Sequence, residues 1–80
     1  MSDFIYPLSR LRQNEAGIVV SLHSSGTLRR RFQDIGIIEG TKISCIGKSP
    51  FGDPKAYIIK GAVIALRNTD AVKIMIKSAE

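Results

Sequence analysis

One cysteine, one histidine, no tryptophan and five other aromatic side chains are all that 80 residues contain of these types. A lone thiol, Cys45, cannot close an intramolecular disulfide, which excludes the cystine-stapled secreted scaffolds. A tight metal site needs several ligands converging within ~2.0–2.6 Å of the ion. Here there is no CxxC or HxH, and the carboxylates are spread from Asp3 to Glu80. That leaves His23, with a neighbouring carboxylate, as a candidate for weak transition-metal binding only. Nucleophilic catalysis requires a nucleophile, a base and an orienting group within hydrogen-bond reach. Strand alternation puts Cys45 and His23 on opposite faces, so no catalytic pair is expected. Neither GxGxxG nor GxxxxGK(S/T) occurs, so no nucleotide fingerprint is present. Long apolar runs are also missing. Residues 16–28 lack charge but contain Ser21, His23, Ser24, Ser25 and Thr27, far from the ~20 apolar residues that cross a bilayer. Asp3, Pro7 and Arg10 occupy the place of a signal-peptide core. A soluble cytoplasmic protein is expected.

What remains is a single domain, residues 1–80, in which 44% of positions are apolar. Twelve isoleucines against five leucines favour pleated strands, because branching at Cβ restricts χ1 and suits a sheet. Twelve Lys/Arg against seven Asp/Glu give a net charge of +5. Solubility, an acidic partner, an anionic membrane leaflet or a nucleic acid would each fit that balance. The cations are scattered, apart from Arg29-Arg30-Arg31.

Along the chain, Phe4, Tyr6, Leu8 and Leu11 form an apolar segment, with a short helix after Pro7 that plugs one end of the fold. Ala16-Gly17 opens a strand over Ile18–His23, with Ile18, Val20 and Leu22 inward by period two. Ser24–Thr27 offers cap residues, and a helix follows at about 27–35. Leu28, Phe32 and Ile35 make its apolar stripe, and Gly36 is placed for a left-handed cap with Ile37 beyond it. A strand spans Thr41–Gly47, with Ile43 and Cys45 inward. Ser49–Pro54 is a loop, because two prolines and a glycine in six residues leave no alternative. Tyr57–Lys60 and Val63–Arg67 pair across a turn at Gly61-Ala62. Asn68-Thr69-Asp70 starts one helical turn, and Val72, Ile74 and Ile76 alternate in a closing strand. The termini, Met1–Asp3 and Lys77–Glu80, are expected to fray. The spacing predicts a mainly β fold: a small, partly open barrel of about five strands with one inserted short helix and short helical turns.

Two features fit a binding surface better than a catalytic pocket. Cations in the first turn of a helix oppose its dipole, and Asp34 in the last turn does too. Residues set against local preference hint at an external partner, which makes Arg29 and Arg30 contact candidates; the alternative is a solvated face on which Arg30 pairs with Asp34 at i,i+4. Phe51, between Pro50 and Gly52, is the other. A large aromatic in a loop either folds back over the barrel mouth or anchors another protein.

Three segments carry a family resemblance. Asp34-Ile35-Gly36-Ile37-Ile38-Glu39-Gly40-Thr41-Lys42-Ile43 resembles the LGI-x-x-G-x-x-I segment of the ferrous iron transport protein A (FeoA) family. Ser49-Pro50-Phe51-Gly52-Asp53-Pro54 is similar to its P-x-G-D-P loop, which adds Asp53 to the partner-binding candidates. Gly61-x-x-Ile64-Ala65-Leu66-Arg67 with Ala71-x-x-Ile74 resembles its closing segment. The likeness runs from about Leu8 to Lys77, with Asn14 standing where many members have glycine. It implies an SH3-like barrel and a cytosolic accessory of the membrane ferrous iron transporter B, a protein with a GTPase domain. Contact with the membrane is then indirect, through that partner. It implies no catalytic residues, no tightly bound cofactor and at most a weak association with ferrous iron. Similar barrels occur in iron-dependent repressors, so nucleic-acid binding or a metal-responsive regulatory role is the alternative. The stacking aromatics that nucleic-acid binding requires are scarce.

Overall fold

Alternating branched residues build most of the sheet. The computed structural model describes residues 4–79. Its elements are β1 (Ile5–Pro7), a 3-10 turn (Leu8–Arg10), β2 (Ala16–Leu22), α1 (Gly26–Ile35), β3 (Lys42–Lys48), β4 (Lys55–Ile59), β5 (Ala62–Leu66), α2 (Asn68–Ala71) and β6 (Ile74–Ser78). The strands form one antiparallel sheet in the spatial order β1-β6-β2-β3-β4-β5. The fold is mainly β, as the strand spacing predicts, with six strands in an open sheet. The additional strand, β1, is too short for its alternation to be visible in sequence.

The inward face supplies Val19, Ile43, Cys45, Tyr57, Ile59, Leu66, Ile74 and Ile76 to one core. Phe32 from α1, Ile37 just after it, Leu8, Leu11 and Ala71 complete that core. Leu8 and Leu11 bear out the N-terminal plug, at roughly 1.5–3 kcal/mol for each fully buried side chain. Lys55, on the same face of β4 as Tyr57 and Ile59, donates its ammonium to the carbonyls of Ser9 and Leu11, which ties β4 to the N-terminal turn.

α1 ends as its sequence predicts. Gly36 is left-handed at φ 106°, and the Ile37 N–H reaches back to the Phe32 carbonyl at 2.8 Å. This leaves Ile37 buried beneath the turn. At the other end Ser25 is the extended cap residue, without a side-chain cap bond. Asn14, the departure from glycine, takes φ 71°, a conformation that asparagine tolerates better than most residues.

Four expectations need correction. In β2, Gly17 and Val19 face the core, while Ile18 and Val20 are only half-buried. Val20 is the extra residue of a bulge between the pairs Val19↔Ile76 and Ser21↔Met75, so the alternation restarts and Leu22 turns inward. Val72 belongs to the end of α2, 49% exposed, and the closing strand begins at Ile74. The hairpin turn is Lys60-Gly61, both with positive φ, because Ile59 pairs with Ala62. Lys77 and Ser78 are in β6 and not frayed, whereas Met1–Asp3 and Glu80 lie outside the described residues.

At Gly17 the neighbouring strand β6 leaves no room for a side chain. A Cβ there would lie 2.5 Å from Ile76 Cδ1 and 3.1 Å from the Lys77 carbonyl. Gly17→Ala is expected to lower unfolding stability by about 1–3 kcal/mol through overpacking. Gly47→Ala, in β3 with nothing within 4 Å, should stay within about 0.5 kcal/mol of the parent. Urea unfolding of both variants measures the contrast.

Candidate interaction surfaces

The loop at residues 49–54 is braced by its own hydrogen bonds. Ser49 Oγ donates to the Asp53 carbonyl at 2.8 Å and accepts the Asp53 N–H at 3.0 Å. The Gly52 N–H reaches the Ser49 carbonyl at 2.8 Å. Asp53 Oδ1 accepts the Asn68 N–H at 2.8 Å, and the Asn68 amide extends toward the Gly52 carbonyl at 3.4 Å. Arg67, the residue preceding α2, provides no side-chain cap, so Asp53 caps that helix from fifteen residues away. The consequence is at the tip: Phe51 is 94% exposed on a loop held from behind. Phe51 does not fold back over the barrel mouth.

Arg29, Arg30 and Arg31 are all exposed on α1. Arg29 extends toward the Leu22 carbonyl at 3.5 Å, beside a groove of about 280 Å³ between α1 and the end of β2. Val20, Ile38, Gln33 and Glu39 also line this groove. The arginines and Phe51 do not form one patch. α1 follows the end of β2 that passes the start of β3, and the 49–54 loop follows the end of β3. Seven residues of β3 separate them, roughly 20 Å at about 3.3 Å per residue.

His23 is exposed beyond β2, its Nε2 3.2 Å from Ser21 Oγ. Cys45 is buried, with Sγ 3.7 Å from the Gly47 carbonyl and its N–H bonded to the Glu15 carbonyl. His23 and Cys45 are therefore at opposite ends of β2, some 25 Å apart along the strand. Among the described residues, no three His, Cys, Asp or Glu side chains converge as a metal-holding group. A second groove of about 360 Å³ is lined by Leu11, Arg12, Gln13, Cys45, Lys48 and Lys55, but the Lys55 ammonium there is already engaged with backbone carbonyls.

The roles of Ser49 and Asn68 escape a reading of strand pattern. Only the i, i+4 spacing of Ser49 and Asp53 around the glycine hints at a side-chain-closed loop. Tyr57 shows no outward role. It is fully buried opposite Cys45, and its hydroxyl makes no hydrogen bond to the protein. Burial pushes its pKa well above the usual 10.0, and the nearby Cys45 and Asp53 add to the effect.

A mainly β domain of six antiparallel strands in one open sheet, with a few short helices, has the SH3-like fold. Residues 6–78 match the FeoA domain, and the chain belongs to that family. A curated relative is the Fe(2+) transport protein A/Fe(2+) transporter FeoB fusion protein of Porphyromonas gingivalis. It is 30% identical over 70 residues, covering 88% of this chain and 8% of the fusion, so the chain spans a small part of that relative. The solution structure of a FeoA-like protein from Clostridium acetobutylicum superposes with a TM-score of 0.88 at 29% identity, covering all of this chain and 92% of the other. The zinc-complexed FeoA of Stenotrophomonas maltophilia, described as a prokaryotic SH3 domain protein, matches with a TM-score of 0.77 at 24% identity. That match covers 89% of this chain and 88% of the other, and bears on the fold alone.

Asp53→Ala should cost about 1–2 kcal/mol in urea unfolding, as loss of a helix cap does, whereas Phe51→Ala should leave stability within about 0.5 kcal/mol. Tyr57 generates a pH dependence. A raised folded value means that the native state holds the phenol proton more tightly than the unfolded chain does. Its stabilisation is thus complete below the unfolded value of 10.0 and is lost as pH rises above it. Urea midpoints should fall above that pH, and fall less in Tyr57→Phe.

Proposed function

We propose that this chain is a cytosolic accessory of ferrous iron uptake, a protein-interaction module that docks on the cytosolic region or GTPase domain of the membrane ferrous iron transporter B and modulates transport. The observation that carries this reading is the Porphyromonas gingivalis relative, in which a similar domain and the transporter share one polypeptide. A tether raises the effective concentration of two modules to about millimolar, so a domain joined to its partner can use a weak surface.

The exposed Phe51 supplies an aromatic anchor, and Asp53 acts behind it by holding the loop in shape. Arg29 and Arg30, displayed on α1, supply an electrostatic contact at the other end of β3. Two contacts some 20 Å apart suit a partner that spans the module and not a small ligand. The reading involves no reaction and no tightly held cofactor, and weak ferrous iron binding at His23 would be secondary to it. Nucleic-acid binding is disfavoured because Tyr57, the aromatic flanked by Lys55 and Lys60, is buried in the core and offers no stacking face.

The test is a calorimetric titration of the 80-residue chain against the purified cytosolic GTPase region of the transporter. Binding is expected, with Phe51→Ala weakening it about tenfold or more and the Arg29→Glu/Arg30→Glu pair weakening it mainly at low salt. Absence of binding by the parent chain overturns the reading. Unchanged affinity in both variants removes these surfaces from it.

A further inference from the structure

We infer that the edge of β5, unpaired among the described residues, is an acceptor for one strand of another protein, an extended segment with an apolar centre and acidic residues at both ends. The two edges of the sheet differ in kind. β1 is three residues long and ends in Pro7, which has no N–H to donate; such an edge is blunted. β5 reads Ala62-Val63-Ile64-Ala65-Leu66, without proline or charge. Unprotected apolar edges are rare in isolated domains because they template pairing with another chain.

The hairpin register shows which backbone groups are offered. A two-residue turn at Lys60-Gly61 makes Ile59–Ala62 a hydrogen-bonded pair, and the pattern then alternates along the antiparallel ladder. Ala62, Ile64 and Leu66 turn their N–H and C=O groups to β4. Val63 and Ala65 turn theirs away from the sheet. Their side chains point to the outer face, where Val63 is 65% exposed next to the partly exposed Ile58.

Charge specifies the occupant. β3, β4 and β5 together carry lysines and not one Asp or Glu. The exposed Lys60 and Arg67 bracket β5, one at each end. A second copy of this chain fits poorly: antiparallel self-pairing centred on Ile64 would set Lys60 of one copy opposite Asn68 of the other, one position from its Arg67, at both ends. An apolar strand flanked by carboxylates meets each cation with an opposite charge. The Arg67 end of this edge adjoins the 49–54 loop, since Asn68 bonds to Gly52 and Asp53, but what the edge offers is backbone groups, and its test needs no transporter.

The probe is a capped nine-residue peptide, a Val-Thr-Val-Thr-Val centre with two glutamates on each side, titrated into the 15N-labelled full chain. Slowed amide exchange and shifts centred on Val63 and Ala65 are expected. Ala65→Pro removes an outward N–H without touching the β4 ladder, and should weaken binding about tenfold, the equivalent of one main-chain hydrogen bond. A peptide with lysines in place of the glutamates should bind the unaltered chain about tenfold more weakly, a comparison that does not depend on any variant folding. No shift at millimolar peptide, equal binding of the lysine peptide, or β5 shifts that track the concentration of the chain alone would each overturn the proposal. The last outcome would assign the edge to a second copy.

Discussion

The fold depends on the seam between β2 and β6. β6 comes last in the chain yet lies between the first two strands, so the sheet is complete only when the C-terminal segment inserts there. Gly17 permits that insertion by leaving the space that Ile76 fills, and Val19 packs across from Ile76 on the same face. Non-local pairing of this kind carries a loop-closure cost before its contacts form, and the buried isoleucines of β6 offset it. With the seam in place, β3 and β4 extend the sheet on one side and β1 is held on the other.

The surface follows from that frame. The sheet fixes the two ends of β3, and each end carries a different chemistry. At one end α1 displays three arginines, its own apolar stripe spent on Phe32 and on the Gly36–Ile37 exit. At the other, a six-residue loop holds an aromatic in solvent. The Ser49–Asp53–Asn68 bonds fix the backbone on which Phe51 stands, so a polar network frames an exposed apolar side chain. The unprotected β5 edge is a third surface and differs from both in offering backbone groups.

The pattern of legible and illegible elements has a physical basis. α1 is plain in the sequence because its stripe, its left-handed glycine and the apolar residue beyond are all local and agree with one another. β3 is equally plain, since Ile43 and Cys45 alternate with polar residues. β2 misleads because apolar residues occupy both of its faces and the inward position next to Val19 is a glycine, which carries no hydropathy signal. The Val20 bulge then breaks the period. Val72 misleads differently: it continues the alternation of Ile74 and Ile76 in sequence, but α2 ends on it.

At the candidate surfaces, residue types were enough to single out Arg29, Arg30 and Phe51, because a charge or an aromatic set against its local preference is visible in a string of letters. The same string determines the helix, the hairpins, the scarcity of ligating side chains and the family. Tertiary structure alone decided that Phe51 projects, that the Asp53 carboxylate is consumed in capping α2, that Tyr57 is interior, and which strands are edges. Each of those outcomes is set by contacts between residues distant in the chain, and a pattern of neighbours carries no record of such contacts.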